Sequence, residues 1–142
     1  MIRTQNLVEQ RRALREKYAD VILLEPTKTE ITSPDKAFIE NIVDILNKNM
    51  ADENFSVEQF SQSMGMSRMQ LHRKLKALTD QSASEFIRNF RLAKAKELIS
   101  GSQMTVSEVA YSCGFNNLSY FSKCFKEKFG SLPSQFLESK NQ

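Results

Sequence analysis

Ser56-Val57-Glu58-Gln59-Phe60-Ser61-Gln62-Ser63-Met64-Gly65 lines up with Thr105-Val106-Ser107-Glu108-Val109-Ala110-Tyr111-Ser112-Cys113-Gly114, at an offset of 49 residues. Beyond the glycine the offset becomes 50 if Asn116 or Asn117 is a one-residue insertion. Ser67 then matches Asn117, Leu71 matches Phe121, Arg73 matches Lys123, Leu75 matches Phe125, and Lys76 matches Lys126. Each copy opens on a hydroxyl residue with Gln or Glu three positions later. This is the capping box, in which the two side chains satisfy orphan amides at a helix start. Each copy then reaches a glycine where the helix has to stop, since glycine enters the left-handed conformation at least cost. A second capped start follows, at Ser67-x-x-Gln70 and at Asn117. Short helix, tight turn and second helix make the helix-turn-helix layout, here present twice.

The same signals extend outward. Ser33-Pro34 offers an N-cap with proline at the first helical position. Phe38, Ile39, Ile42, Val43, Ile45, Leu46 and Met50 follow it as one apolar stripe at helical spacing. Ser82-x-x-Glu85 is a further capping box, and Gly101 and Gly130 fall where helices should end in the left-handed form. These signals predict an all-α, homeodomain-like fold of seven helices, at about 34–50, 57–63, 68–78, 83–100, 106–113, 118–129 and 133–139. Two helix-turn-helix subdomains would be joined by the long fourth helix. Residues 1–33 differ from the rest. Leu7 to Tyr18 suits a charged helix too poor in apolar residues to build a core, and Val21-Ile22-Leu23-Leu24 is a short apolar run broken by Pro26. The segment reads as a linker to an absent upstream domain, or else as a disordered tail.

Composition excludes several functions. The chain has 142 residues, 40% hydrophobic and 26% charged, as in an ordinary globular domain. It has no run of about 18 apolar residues and no signal-peptide pattern, so no membrane contact and a cytoplasmic location are expected. Cys113, Cys124 and the single histidine His72 cannot build a disulfide scaffold or a multi-histidine zinc site. Both cysteines are expected to be reduced, metal-free and buried as core filler. A glycine-rich phosphate loop and a Ser–His–acid set are both missing, so neither an enzyme nor a cofactor is expected.

The net charge of +3 is modest, but its distribution is uneven. Arg68, Arg73, Lys74 and Lys76 lie together without an acid, and so do Arg88, Arg91, Lys94 and Lys96. Such clusters read as a polyanion-facing side, or as plain solvated helix faces. On the second helix of the first copy, Leu71, Leu75 and Leu78 take one side, while Met69, His72, Arg73 and Lys76 take another. The second copy divides in the same way, with Phe121, Phe125 and Phe129 inward and Leu118, Ser119, Ser122, Lys123 and Lys126 outward. A helix entering the major groove needs this division. Arg73 is the leading base reader, because its fork pairs with guanine. Ser67, Arg68, Lys76, Asn117, Ser122 and Lys126 are candidates for holding phosphate, the lysines by charge and the capped helix starts by free amides. The rival reading is a helical protein–protein adaptor, which would expose apolar rather than basic stripes.

Arg91-Leu92-x-Lys94-Ala95-x-Glu97-Leu98-Ile99 is followed by Val109-Ala110-x-x-Cys113-Gly114-Phe115-Asn116-Asn117-x-Ser119-Tyr120-Phe121-Ser122-Lys123-x-Phe125-Lys126-x-x-Phe129-Gly130-x-x-Pro133-Ser134. This pattern resembles the signature of AraC/XylS-type transcription regulators, over about residues 36–137. The resemblance implies sequence-specific binding of double-stranded DNA, with Met69, His72, Arg73, Leu118, Ser119 and Lys123 facing bases and RNA polymerase as a further partner. Near the end the chain departs from the pattern: Leu132 stands in place of a capping threonine or serine, and Phe136-Leu137 replaces a Tyr-Arg pair. Gly65-Met66-Ser67-Arg68-x-Gln70-Leu71-x-Arg73-Lys74-Leu75-Lys76-Ala77-Leu78-Thr79, after the linker, resembles the output end of hybrid two-component regulators. That likeness implies an upstream receiver and histidine kinase in a phosphorelay, a parent protein either cytoplasmic or anchored in the inner membrane, and an activator of carbohydrate-utilisation genes. A homodimer on DNA would add affinity. The two recognition helices would enter successive major grooves. The central helix, at 1.5 Å per residue, is roughly 27 Å long against about 34 Å between grooves, so the DNA bends or only one unit engages fully.

Overall fold

The structure, a computed structural model, describes residues 33–140; the expectations for Leu7–Tyr18 and for the apolar run at 21–24 lie outside them. Among the described residues every element is helical: α1 (Ser33–Asn49), α2 (Val57–Met64), α3 (Arg68–Thr79), α4 (Ala83–Gly101), α5 (Val106–Ser112), α6 (Leu118–Phe129) and α7 (Pro133–Lys140). The seven boundaries agree with the pattern-based ones to within about a residue.

The agreement comes from local chemistry. All four capping boxes form. The hydroxyls of Ser56, Ser67 and Thr105 each accept from the amide three residues on, and the amides of these three residues donate in return to the side-chain oxygen there. Ser82 does the same with Glu85, at 3.2 and 3.4 Å. In the box at α5, the bonds from Thr105 hold the exposed Glu108 carboxyl below the ordinary range. Asn117 caps α6 through its side-chain oxygen, 2.8 Å from the Tyr120 amide. At α7, Leu132 cannot cap, yet the Gln135 side chain still takes the Leu132 amide at 2.8 Å, so half of the box survives.

The repeat is reproduced bond for bond. Gly65 N–H donates to Gln62 O and Met66 N–H to Ser61 O, both at 3.0 Å; Gly114 donates to Tyr111 O at 3.1 Å and Phe115 to Ala110 O at 3.0 Å. The 49-residue offset therefore holds through Phe115. The next pair, Leu71 to Ser67 and Phe121 to Asn117, stands at an offset of 50, which makes Asn116 the inserted residue. Two stops differ from expectation. Gly101 is the last residue of α4 and lacks the positive φ of Gly65, Gly114 and Gly130. Asp80 closes α3 at φ 58°, a conformation that aspartate tolerates better than most side chains.

The chain forms two units: the described residues up to Asn47 with Ser56–Ile87, and Lys48–Phe55 with Arg88 onward. α4 thus contributes residues to both. In the first unit, Phe38, Ile39, Ile42, Ile45, Leu46, Phe60, Leu71, Leu75, Leu78 and Phe86 are buried, as the apolar stripes of α1 and α3 require. Lys74 is drawn out of the basic cluster: its ammonium lies 3.7 Å from Asp35 and 5.1 Å from the Phe38 ring centre. The second unit is built on an aromatic ladder, Phe115–Phe121–Phe125–Phe129, with successive centroids 4.7 to 5.7 Å apart and Phe136 edge-on to Phe125. Phe129 sits at the edge of this core, with Lys96 4.9 Å above its ring.

Cys113 and Cys124 are both free and buried in the second core. Burial pushes the Cys113 thiol up to about 11, so little thiolate forms at pH 8. Thiol reagent is therefore expected to label the native protein slowly and the urea-unfolded protein at once. Rapid labelling of Cys113 in the native state would show that this core opens easily.

Candidate nucleic-acid interface

α2 and α3 touch, as do α5 and α6, so each unit presents one two-helix element. The cap bonds at Ser67 and Asn117 set where α3 and α6 begin, and the buried leucines and phenylalanines set which side turns out. Met69, His72, Arg73, Leu118, Ser119 and Lys123 are all exposed. For Met69 (63%) and Leu118 (36%) exposure runs against hydrophobicity. Each stands in the first turn of its second helix, on the side away from the core.

In the first unit, Arg68, Met69 and His72 share an open concavity of about 600 Å³ with Val57, Ser82, Ala83 and Ser84. Arg73 borders a neighbouring one of about 430 Å³, with Met66, Gln70, Ala77 and the Asp35–Lys74 pair. Among the described residues no carboxylate is within ion-pair distance of Arg68 or Arg73. Lys76 differs: its ammonium is 3.5 Å from the Asp80 carboxylate and 3.5 Å from the Asp80 carbonyl. This exposed pair contributes only about 0–1 kcal/mol, so a phosphate can displace it.

Of the capped helix starts, only part of the expected amide set is open. The Ser67 amide is taken by Gln70 Oε1 at 2.9 Å and the Gln70 amide by Ser67 Oγ at 3.1 Å. The Arg68 and Met69 amides remain without intrahelical acceptors, and the Ser67 hydroxyl proton is still available to a phosphate oxygen. Lys126 is exposed and Ser122 half-buried.

Three of the four basic residues of α4 are engaged within the protein. Arg91 is 8% exposed, and burial draws its pKa below the ordinary arginine value, the Asp52 charge opposing. Lys94 lies 3.6 Å from Glu97 and 5.6 Å from the Phe90 ring, and Lys96 covers Phe129 and Phe136. Amphipathic stems packed on aromatic surface account for these lysines.

Sequence reading missed two exposed aromatics, Tyr111 (55%) and Tyr120 (47%). Tyr120 occupies the place in α6 that Gln70 holds in α3, so the second copy trades the return half of the capping box for an outward phenol. For Tyr120 the signal was a tyrosine where the other helix starts carry Gln or Glu.

Residues 60–139 match the family described as "Helix-turn-helix domain". The chain is 37% identical over 135 residues, 95% of its length, to "Histidine kinase P4" of Formosa agariphila, of which it spans only 10%. The fold is similar to the DNA-binding domain of AdpA, described as the global transcriptional factor, solved in complex with a target DNA. The TM-score is 0.65 at 25% identity, over 71% of this chain and 90% of that one. It is also similar to a xylose-binding transcription activator, xylR, with a TM-score of 0.64 at 26% identity, over 76% of this chain and 27% of that one.

Proposed function

The chain belongs to the AraC-type helix-turn-helix family of DNA-binding transcription regulators, and from that premise we propose that it is the output module of a phosphorelay regulator controlling carbohydrate-utilisation genes. In this reading a histidine kinase and receiver precede it in the parent protein, and RNA polymerase and a second copy join it on DNA. The similarity to a histidine kinase supports the phosphorelay, and the similarity to a xylose-binding activator supports the control of carbohydrate-utilisation genes. Met69, His72 and Arg73 of α3 and Leu118, Ser119 and Lys123 of α6 read base edges. Ser67, Arg68, Lys76, Asn117, Ser122 and Lys126 hold phosphates.

One observation carries the assignment of roles. The same turn hydrogen bonds occur in both units, and each turn is followed by a helix with a buried apolar side and an exposed side that bears cations. The arrangement suits a duplex, whose phosphates attract the charge and whose groove edges meet the short side chains. Selection from random duplexes should return one sequence, protected over about two helical turns. Affinity should fall with salt, log against log, at about −0.9 per phosphate neutralised, and Lys126→Ala should lower that slope by about 1. Failure to enrich any duplex, or affinity indifferent to salt, would favour a protein-binding adaptor.

A further inference from the structure

Arg91 plays no part in the DNA-facing set, yet its surroundings are unusually specific. Its guanidinium donates through Nη1 to the Gly114 carbonyl at 2.6 Å and through Nη2 to the Asp52 carbonyl at 2.8 Å. Gly114, at φ 85°, fits against it so closely that a Cβ would run into Arg91 Nη1 and the Met50 carbonyl. The first unit has nothing comparable. Around Gly65, the counterpart of Gly114 in the repeat, no atom lies within 4 Å of where a Cβ would stand.

The same turn hydrogen bonds thus form at Gly65 without an arginine packed against the glycine. Burying a guanidinium costs several kcal/mol, and an aliphatic chain of similar volume is often as stable. What arginine adds is direction, since a planar fork with fixed donors meets two main-chain carbonyls only in one arrangement. One carbonyl belongs to the turn between α5 and α6; the other belongs to the segment after α1, which the second unit includes.

We propose that Arg91 is a positioning residue for DNA reading by the second unit. It pins the α5–α6 turn at Gly114 against the main chain of Asp52, and so sets where Asn117 through Lys123 meet the groove. The proposal rests on the DNA-binding reading above and adds the residue that aims α6.

The test uses the full chain and a duplex selected from a random pool by the wild type. Arg91→Lys keeps the cation and most of the stem but cannot span both carbonyls. It should lose on the order of tenfold in affinity, the size of a base contact forfeited by a displaced α6. That loss should not multiply with Lys123→Ala, which removes a reader the turn no longer aims, but should multiply fully with Arg73→Ala on the first unit. Restoration of arginine should restore both affinity and the penalty for Lys123→Ala. If Arg91→Lys binds like the wild type, multiplies equally with both alanine variants, or leaves the second unit unfolded by circular dichroism, Arg91 does not aim α6. Those outcomes are distinct from failure of the DNA reading, in which the wild type itself selects no duplex.

Discussion

Alanine at Gly114 is expected to destabilise the second unit by about 2–5 kcal/mol, while alanine at Gly65 costs only about 1–2 kcal/mol. Both glycines have positive φ, 85° and 68°, so both substitutions carry the left-handed penalty of about 1–2 kcal/mol. Only Gly114 adds a collision, because its Cβ meets a buried guanidinium and a main-chain carbonyl rather than open space. Overpacking of this kind costs about 1–3 kcal/mol. The Met50 carbonyl belongs to the backbone and cannot swing aside as a flexible side-chain tip can. Urea unfolding, followed by circular dichroism and by Cys113 labelling, measures the difference. Equal penalties at the two glycines would mean that the turn at Gly114 relaxes around the new methyl group.

Arg73→Ala is the second large effect, expected to weaken specific DNA binding by about 1–3 kcal/mol and to relax preference at one or two base pairs. Arg73 is exposed in α3, one turn after Met69, and no described carboxylate is close enough to neutralise it. Its fork is available for a paired contact with a guanine edge. Lys76→Ala should behave differently, weakening all duplexes to a similar degree, because a lysine on phosphate supplies charge without direction. Competition binding against single-base variants of the selected duplex separates the two cases. A uniform loss for Arg73→Ala would reassign that arginine to the phosphate backbone.

The helices, their caps and the repeat were legible because they depend on partners three to five residues away. Ser56 with Gln59, or Ser67 with Gln70, is a contact that spacing alone predicts. The outward sides of α3 and α6 followed from the positions of Leu71, Leu75, Phe121 and Phe125, which one helical period places on the opposite side. Asp80 was not legible as a stop, since aspartate enters the left-handed region only when the following chain requires it, and Gly101 was misread for the converse reason.

The basic residues divide at the same line between local and distant partners. Spacing puts Arg68, Arg73, Lys74, Arg91, Lys94 and Lys96 on helices, and on that basis two clusters looked alike. Lys74 turns out to serve the Asp35 and Phe38 side of α1, Lys96 covers Phe129 and Phe136, and Arg91 reaches carbonyls 23 and 39 residues distant in the chain. A charge takes its role from what stands within a few ångströms of it. For a helix end that neighbourhood is local and is written in the sequence; for a buried guanidinium it is assembled from distant segments and exists only once the chain has folded.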